Sequence, residues 1–454
     1  MKIAVIGAGA YGSYSIAVIQ QRFPEAEITL FDVGDAEIKS ESEIGYKTNL
    51  FGDGYTGLKD GRFFGFGGAT ARWGGQLLLF SQKDFSAPSS FLRDIIRVGQ
   101  TYKERVLKRF GILPDNREPS VSTALFVKTG IWLGYFSRNL FRFFRVGRRK
   151  NVKIVSRARV LKVIVGEGNK VTGLDYWHKG QICHASGFDA YFLTAGAFES
   201  IRILLSSGVL RDKKVPFSDH LSQRVFKIKG PTKIGNQDFV FRVRGTSLIT
   251  KRLIGEVDGV SFFANPIYNA DFAFFQNLKK VMFRHELTFS NIFALLKDFP
   301  SCCAFVWHVF VLKKIMVYKN EWDLYIDIEN PDSKSFVKLA SDLDQYGVPA
   351  LDVEFHIGEG AVNVYREAKK LVKEYLVAHQ VSFDECADDI HVEKCEDTYH
   401  PYGMLCDFKT LDDYYSFFPN MLVVNTGVLP RAGGINSTAT MFPIIEDYVA
   451  RVMQ

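Results

Sequence analysis

Met1-Lys2-Ile3-Ala4-Val5-Ile6-Gly7-Ala8-Gly9-Ala10-Tyr11-Gly12 is the stretch on which the fold turns. Residues 3–6 form a short apolar run suited to a buried strand. The glycine loop follows at once, and a helical pattern then runs to near Pro24. Residues 27–31 read as a second strand with Asp32 at its end, which is the strand–loop–helix–strand setting that a GxGxxG motif needs. Gly7 permits the tight turn, Gly9 lets backbone approach a pyrophosphate, and Gly12 lets the helix pack close to the strand. The helix N-terminus attracts the anion. Asp32 stands 20 residues beyond Gly12, where a carboxylate accepts hydrogen bonds from a ribose diol and argues against a 2′-phosphate, hence against NADP.

Outward from this loop, 454 residues suffice for two domains or one large two-lobed enzyme. A 47% hydrophobic and 24% charged composition is that of a folded chain rather than a disordered one. The net charge of +7 is modest for this length and suggests local basic patches; no nucleic-acid partner is expected. Six cysteines, without CxxC or histidine pairing, point to a reducing compartment and against a disulfide framework. His178, His184, His356 and His391 lack ligand spacing and His308 reads as a packed residue of an aromatic lobe, so no metal site is expected. Because residues 1–6 belong to the first strand they leave no room for a cleavable signal, and no apolar run reaches the roughly 20 residues that span a bilayer. The expectation is a cytoplasmic protein.

Residues 76–150 read as helical, loop-rich and increasingly basic. Residues 150–165 and 170–177 read as strands joined by the turn Gly166-Glu167-Gly168-Asn169, and 190–193 as a further buried strand leading through Gly196 to a helix at 200–207. From about 226 to 394, strand-like alternation mixes with aromatic helices, and Asp384, Glu385, Asp388 and Asp389 read as a solvated acidic loop. The terminal segment 421–452 returns to strand, loop and helix.

Three further blocks then carry a resemblance. Gly67-Gly68-Ala69-Thr70-Ala71-Arg72-Trp73-Gly74-Gly75, Leu193-Thr194-Ala195-Gly196-Ala197 and His400-Pro401-Tyr402-Gly403, together with Asn436, resemble the signatures of the glucose–methanol–choline family of FAD-dependent oxidoreductases in its shorter form. Asp219-His220 is similar to a short Asp-His element of that family. The resemblance implies an α/β fold: a discontinuous Rossmann-like FAD-binding domain (1–80, 150–225 and 395–454) plus a substrate lobe (81–149 and 226–394) with an antiparallel sheet and helices. It further implies that Gly7, Gly9, Gly12 and Asp32 hold the adenosine and pyrophosphate. Gly67, Gly68, Thr70, Arg72, Trp73 and Gly74 would line the flavin, with Ala195 and Gly196 beside it. Val160 or Val163 would meet the adenine through backbone, Val163 being favoured. Asn425, Thr426, Ser437 and Thr438 would complete the cofactor site.

Departures from the family pattern are informative. Ala71 and Arg72 stand where some relatives carry a flavin-linked histidine, so the FAD is expected to be non-covalent. Asp32 replaces a frequent Glu, Met404 a small residue, Asn425 an Asp on the ribityl chain, and Ser437 a frequent Pro.

The resemblance makes His400 the base that takes a hydroxyl proton while hydride leaves carbon for flavin N5, and Asn436 the second active-site residue. An imidazole with a pKa near neutrality suits that task. A helix beginning near Asn436 would point its positive end at the flavin, with Pro443 marking a kink or a short first segment. The expected substrate is an alcohol of a polyol, sugar, cyclitol or aminoglycoside-like molecule, and the electron acceptor is oxygen or another carrier. Relatives of this size include sterol oxidases, which keeps open a hydrophobic or lipid-linked alcohol. A nicotinamide-dependent double-bond reductase would need a second nucleotide motif, and none is found; a non-catalytic flavin-binding scaffold is a further alternative. The basic aromatic segments 138–150 and 272–319 read either as a packed lobe with solvated cations or as a peripheral contact with the inner membrane surface.

Overall fold

A computed structural model of the chain describes residues 1–112, 118–210, 212–283, 286–386 and 395–453. Its nucleus is a five-stranded parallel sheet in the spatial order Met421–Val423, Ala190–Leu193, Lys2–Ile6, Glu27–Phe31, Val152–Val155. Ile3, Ala4, Val5 and Ile6 are all buried, as befits a parallel strand covered on both faces. The chain order reverses on either side of this first strand, so the crevice at its carboxyl end is where a dinucleotide belongs.

Gly7 sits at that end with φ +103°, and Gly12 lies in the first turn of the Ala10–Arg22 helix. A Cβ at Gly12 would come within 1.9 Å of the Gly7 carbonyl oxygen, so helix and loop approach as closely as they do only because Gly12 has no side chain. We predict that Gly12→Ala costs about 1–3 kcal/mol of stability, read as a lowered denaturation midpoint; an unchanged midpoint would contradict this packing.

The expected strands at 150–165 and 170–177 are present as Val152–Val155, Ala158–Val165 and Val171–His178. The second and third join Gln181–Ser186 in a three-stranded antiparallel sheet. The helix expected at 200–207 begins earlier, at Ala197. Residues 76–150 differ from expectation. They include the helix Ser90–Arg109, but also the strand Leu125–Trp132, which lies inside a long antiparallel sheet between Gln76–Leu77 and Ser247–Val257. Lys128, in the middle of that strand, masks its apolar pattern; it is buried against Asp84 and Glu118. That sheet continues through Val260–Tyr268, Glu321–Glu329 and His220–Lys229. Phe110, at the end of Ser90–Arg109, stacks near Tyr14 and Phe442, so this helix is packed on the nucleotide-binding sheet's own helices.

A further sheet pairs Thr48–Gly52 in parallel with Pro349–Phe355. Asp384 and Glu385 lie in the strand Ser382–Glu385 and pair with Lys229, Lys369 and Lys373. Asp388, Asp389 and His391 lie outside the described residues. All six cysteines are free.

Candidate active site

A single cavity of about 430 Å³ runs from the first glycine loop to His400 and Asn436. Its lining includes Gly7, Gly9 and Asp32 at one end, then Gly68, Thr70, Arg72, Trp73 and Gly74, and then Ala195 and Gly196. Asn425, Thr426 and Thr438 line it as well, the Thr438 carbonyl accepting from Tyr11 Oη at 3.0 Å. Segments more than 400 residues apart therefore meet on one surface.

The glycine loop is braced from two sides. The Asp32 carboxylate accepts the Ala8 N–H at 2.7 Å and the Gly34 N–H at 2.8 Å, while burial raises its pKa to about 6 against those donors. Thr194 Oγ1 donates to the Ile6 and Gly7 carbonyls at 2.8 and 3.0 Å, tying the second signature to the first. Cβ atoms built on Gly9 and Gly196 would meet nothing within 4 Å, so bare backbone borders the cavity at both points.

Four expected cofactor residues lie behind the lining. Gly12 packs the helix onto the loop, as above. The Gly67 N–H donates to the Ala8 carbonyl at 3.1 Å, joining the two glycine loops. Ser437 is fully buried at the start of the 3-10 turn Ser437–Met441, and its Oγ has no partner among the described residues. Val163 faces the core, and its N–H is taken by Ser207 Oγ at 2.9 Å; Val160 is the residue on the cavity wall. A bulge between Val160 and Lys162 breaks the simple alternation along this strand, which the sequence does not reveal. The anticipated break near Pro443 takes the form of this 3-10 turn followed by the helix Phe442–Arg451.

His400 is held by its backbone and by both ring nitrogens. Its N–H donates to both oxygens of Asp219 at 2.9 Å. Nδ1 lies 3.0 Å from Thr398 Oγ1, and Nε2 lies 3.3 Å from Asn436 Nδ2. The orientation of Asn436 fixes the tautomer. Its Oδ1 accepts from the guanidinium of Arg252 at 2.9 Å, and a guanidinium can only donate, so the amide NH₂ must face His400. Nε2 is therefore an acceptor, free of hydrogen, and Nδ1 carries the proton toward Thr398.

Arg252, Gln76, Trp132 and Thr398 were not anticipated. Arg252 is fully buried and bonds Asn436 Oδ1 and Gln76 Oε1, both neutral, and it packs over Phe263. Among the described residues it makes no ion pair. Burial lowers its pKa to about 10, leaving it cationic at neutral pH. The buried Asp327 carboxylate, its own pKa raised to about 7 chiefly by burial, acts on it electrostatically without a direct ion pair, so the cation is only partly compensated and can favour negative charge developing beside it. Gln76 Nε2 and Trp132 Nε1 are buried polar atoms without partners among the described residues, and both residues line the cavity.

The pKa expected of His400 is corrected by its surroundings. Burial, with His220 and Arg252 beside it, pushes the imidazole down to about 3 rather than near neutrality. A base with a pKa near 3 is unprotonated from about pH 5 upward, so the rate of the step it serves should not fall as pH drops from 8 to 5 through its titration. Asp219, raised to about 7 chiefly by burial, is the neighbour able to introduce a limb in that range. An acid limb that persists unchanged in Asp219→Asn would contradict a depressed His400. Asp219, His220 and His400 come within 4.8 Å of one another, a spacing compatible with a metal ion. The Asp219 carboxylate, however, is already supplied with donors from Tyr55, Thr398 and the backbones of His220 and His400.

This parallel nucleotide-binding sheet is set beside a large antiparallel one, and residues of both line the cavity, an arrangement shared with two solved oxidases. Pyridoxine 4-oxidase from Mesorbium loti is similar along the whole chain, with a TM-score of 0.58, 14% identity and coverage of 100% of this chain and 99% of the other. Formate oxidase from Aspergillus oryzae, described in the context of FAD modification, has a TM-score of 0.55, 11% identity and coverage of 99% and 97%. No family model and no curated protein matches the sequence. At these identities the likeness establishes the fold.

Proposed function

We propose that this protein is an FAD-dependent oxidoreductase of the glucose–methanol–choline family that oxidises an alcohol to a carbonyl. The observation that carries the reading is the continuity of one cavity from the Gly7–Asp32 loop to the His400–Asn436 pair. The residues fit the cofactor: open backbone at Gly9 and Gly196, a carboxylate at Asp32, and orphaned polar atoms on Gln76 and Trp132, which also line the cavity. Residues 1–80, 150–225 and 395–454 would supply most of the FAD site, and 81–149 and 226–394 most of the substrate lobe. Ala71 and Arg72 offer no histidine for a covalent link, which supports non-covalent FAD.

When bound, FAD supplies the acceptor for the hydride. Everything else falls to the chain. His400 Nε2 takes the hydroxyl proton, and Asn436 holds the substrate oxygen through its NH₂, fixed in that sense by Arg252. The positive charge behind Asn436 favours the developing alkoxide, which compensates for a weak base. The oxidase names of both structural neighbours support oxygen as the electron acceptor.

Polyols, sugars and cyclitols suit the polar donors at the His400 end. A hydrophobic or lipid-linked alcohol is favoured by a separate observation, the exposed apolar helices between residues 289 and 312. Anaerobic addition of each class to the FAD-loaded protein tests the proposal. Bleaching of the flavin by at least one class supports it, whereas no bleaching across a broad panel would leave the scaffold reading in its place.

A further inference from the structure

We infer that residues 269–321 form a docking element for an anionic lipid bilayer, an inference that stands whether or not the redox reading holds. The strands Val260–Tyr268 and Glu321–Glu329 are antiparallel neighbours, and Tyr268 pairs with Trp322. Two such ends are normally closed by a turn of about 2–5 residues. Here the chain instead leaves the sheet, builds the helices Ala273–Phe283, Phe289–Lys297 and Phe299–Val306, and returns to the same point.

The base of this excursion is fastened. Phe272 and Tyr318 stack with centroids 4.1 Å apart, and Asn269 bonds both the Met316 carbonyl and the Tyr318 N–H. Its outer helices touch Ala273–Phe283 through Phe305, which packs on Phe274 and Phe275, but leave most of their apolar surface to solvent. The helices Phe289–Lys297 and Phe299–Val306 bury no residue, and Phe289 is 84% exposed. Phe293, Leu296, Phe299, Trp307 and Phe310 are each more than half exposed. A contiguous apolar surface of this kind on a folded chain marks an interaction site.

Charge and geometry select the occupant. Residues 269–321 hold seven Lys or Arg against four Asp or Glu, and Lys297, Lys313, Lys314 and Lys319 are exposed beside the aromatic residues. Such a face is repelled by a second copy of itself and attracted by anionic headgroups. No single helix among the described residues is long and apolar enough to cross a membrane, but Phe289–Lys297 and Phe299–Val311 together have the length and composition, bent by 79°. At 1.5 Å per residue the longer of the two reaches only about 20 Å, short of the roughly 30 Å hydrocarbon core. A bent pair with exposed aromatic residues and exposed lysines at its ends suits insertion in the interface plane.

The element is also joined to the cavity wall. The Ile315 N–H donates to the Phe241 carbonyl at 2.8 Å, and Phe241 packs edge-on against Trp132, a lining residue. Phe136, 92% exposed, follows Trp132 at the same end of the sheet. A bilayer held there lies at the end of the sheet that carries the cavity.

Flotation of the purified full-length protein with vesicles of phosphatidylcholine, with and without phosphatidylglycerol, tests the inference. The protein is expected to float with the anionic vesicles. Lys313→Gln and Lys314→Gln should each weaken partitioning roughly fivefold at low salt. Phe293→Asp combined with Phe310→Asp should abolish it while leaving the circular dichroism spectrum unchanged, since both side chains are exposed. Quenching of Trp307 by brominated lipid should follow the same order. The inference is overturned if the wild type stays with the protein-only fraction for both vesicle types, or if the Phe→Asp variant floats equally well. It is also overturned if sedimentation velocity shows a dimer that Phe293→Asp dissolves in the absence of any vesicle binding.

Discussion

His400→Gln is expected to slow substrate-linked flavin reduction by about 10²–10⁴-fold, the usual worth of a positioned general base, with flavin content unchanged. Glutamine keeps a polar side chain of similar reach but cannot accept a proton from an alcohol. Flavin retention should survive because the glycine loop, Asp32 and Thr194 hold the other end of the cavity without help from His400. The ring is also not needed to order its own loop, since Asp219 grips the His400 backbone N–H rather than the imidazole. Single-turnover reduction under anaerobic conditions separates this step from reoxidation. A variant that reduces flavin at the wild-type rate would remove His400 from the mechanism.

The second large effect should come from Arg252. Replacing it with Met removes the donor that fixes the Asn436 amide and the cation that favours an alkoxide, and a loss of about 10²–10³-fold in the reduction rate is expected, as for removal of a preorganised electrostatic donor. Thermal stability should change little, because replacing a buried and only partly compensated charge by an apolar side chain is often neutral or stabilising, and Asp327, raised to about 7, can stay protonated once the cation is gone. That split tells a positioning role from a structural one. Arg252→Lys should recover little, since an ammonium cannot reproduce the fork that reaches Asn436 Oδ1 and Gln76 Oε1 together. A wild-type rate in Arg252→Met would show that Asn436 needs no such support.

What the sequence revealed and what it hid follow from contact range. The first strand, the glycine loop and Asp32 lie within some 30 residues and are specified by local pattern, so their placement was legible. The C-terminal His400 and Asn436 were legible through the blocks around them, not through any pattern linking them across 36 residues. Arg252 was not legible. It sits in the strand Ser247–Val257 as half of a Lys251-Arg252 pair that reads as solvated charge. Alternation sends the two to opposite faces, and only the register with Leu125–Trp132 decides that Arg252 is the one turned inward. The Leu125–Trp132 strand was itself concealed by Lys128, whose burial depends on Asp84 and Glu118 arriving from elsewhere in the chain. The exposure of Phe289 and Phe310 could not be read either. An aromatic helix pattern is the same whether it faces a core or a bilayer.

The most direct test of the central claim is the absorbance spectrum of the purified protein after reconstitution with FAD, before and after denaturation. The protein is expected to be yellow, with one FAD per chain, all of it released into the filtrate on denaturation. A chain that retains no flavin after reconstitution, or whose flavin stays attached to the unfolded polypeptide, would contradict the claim.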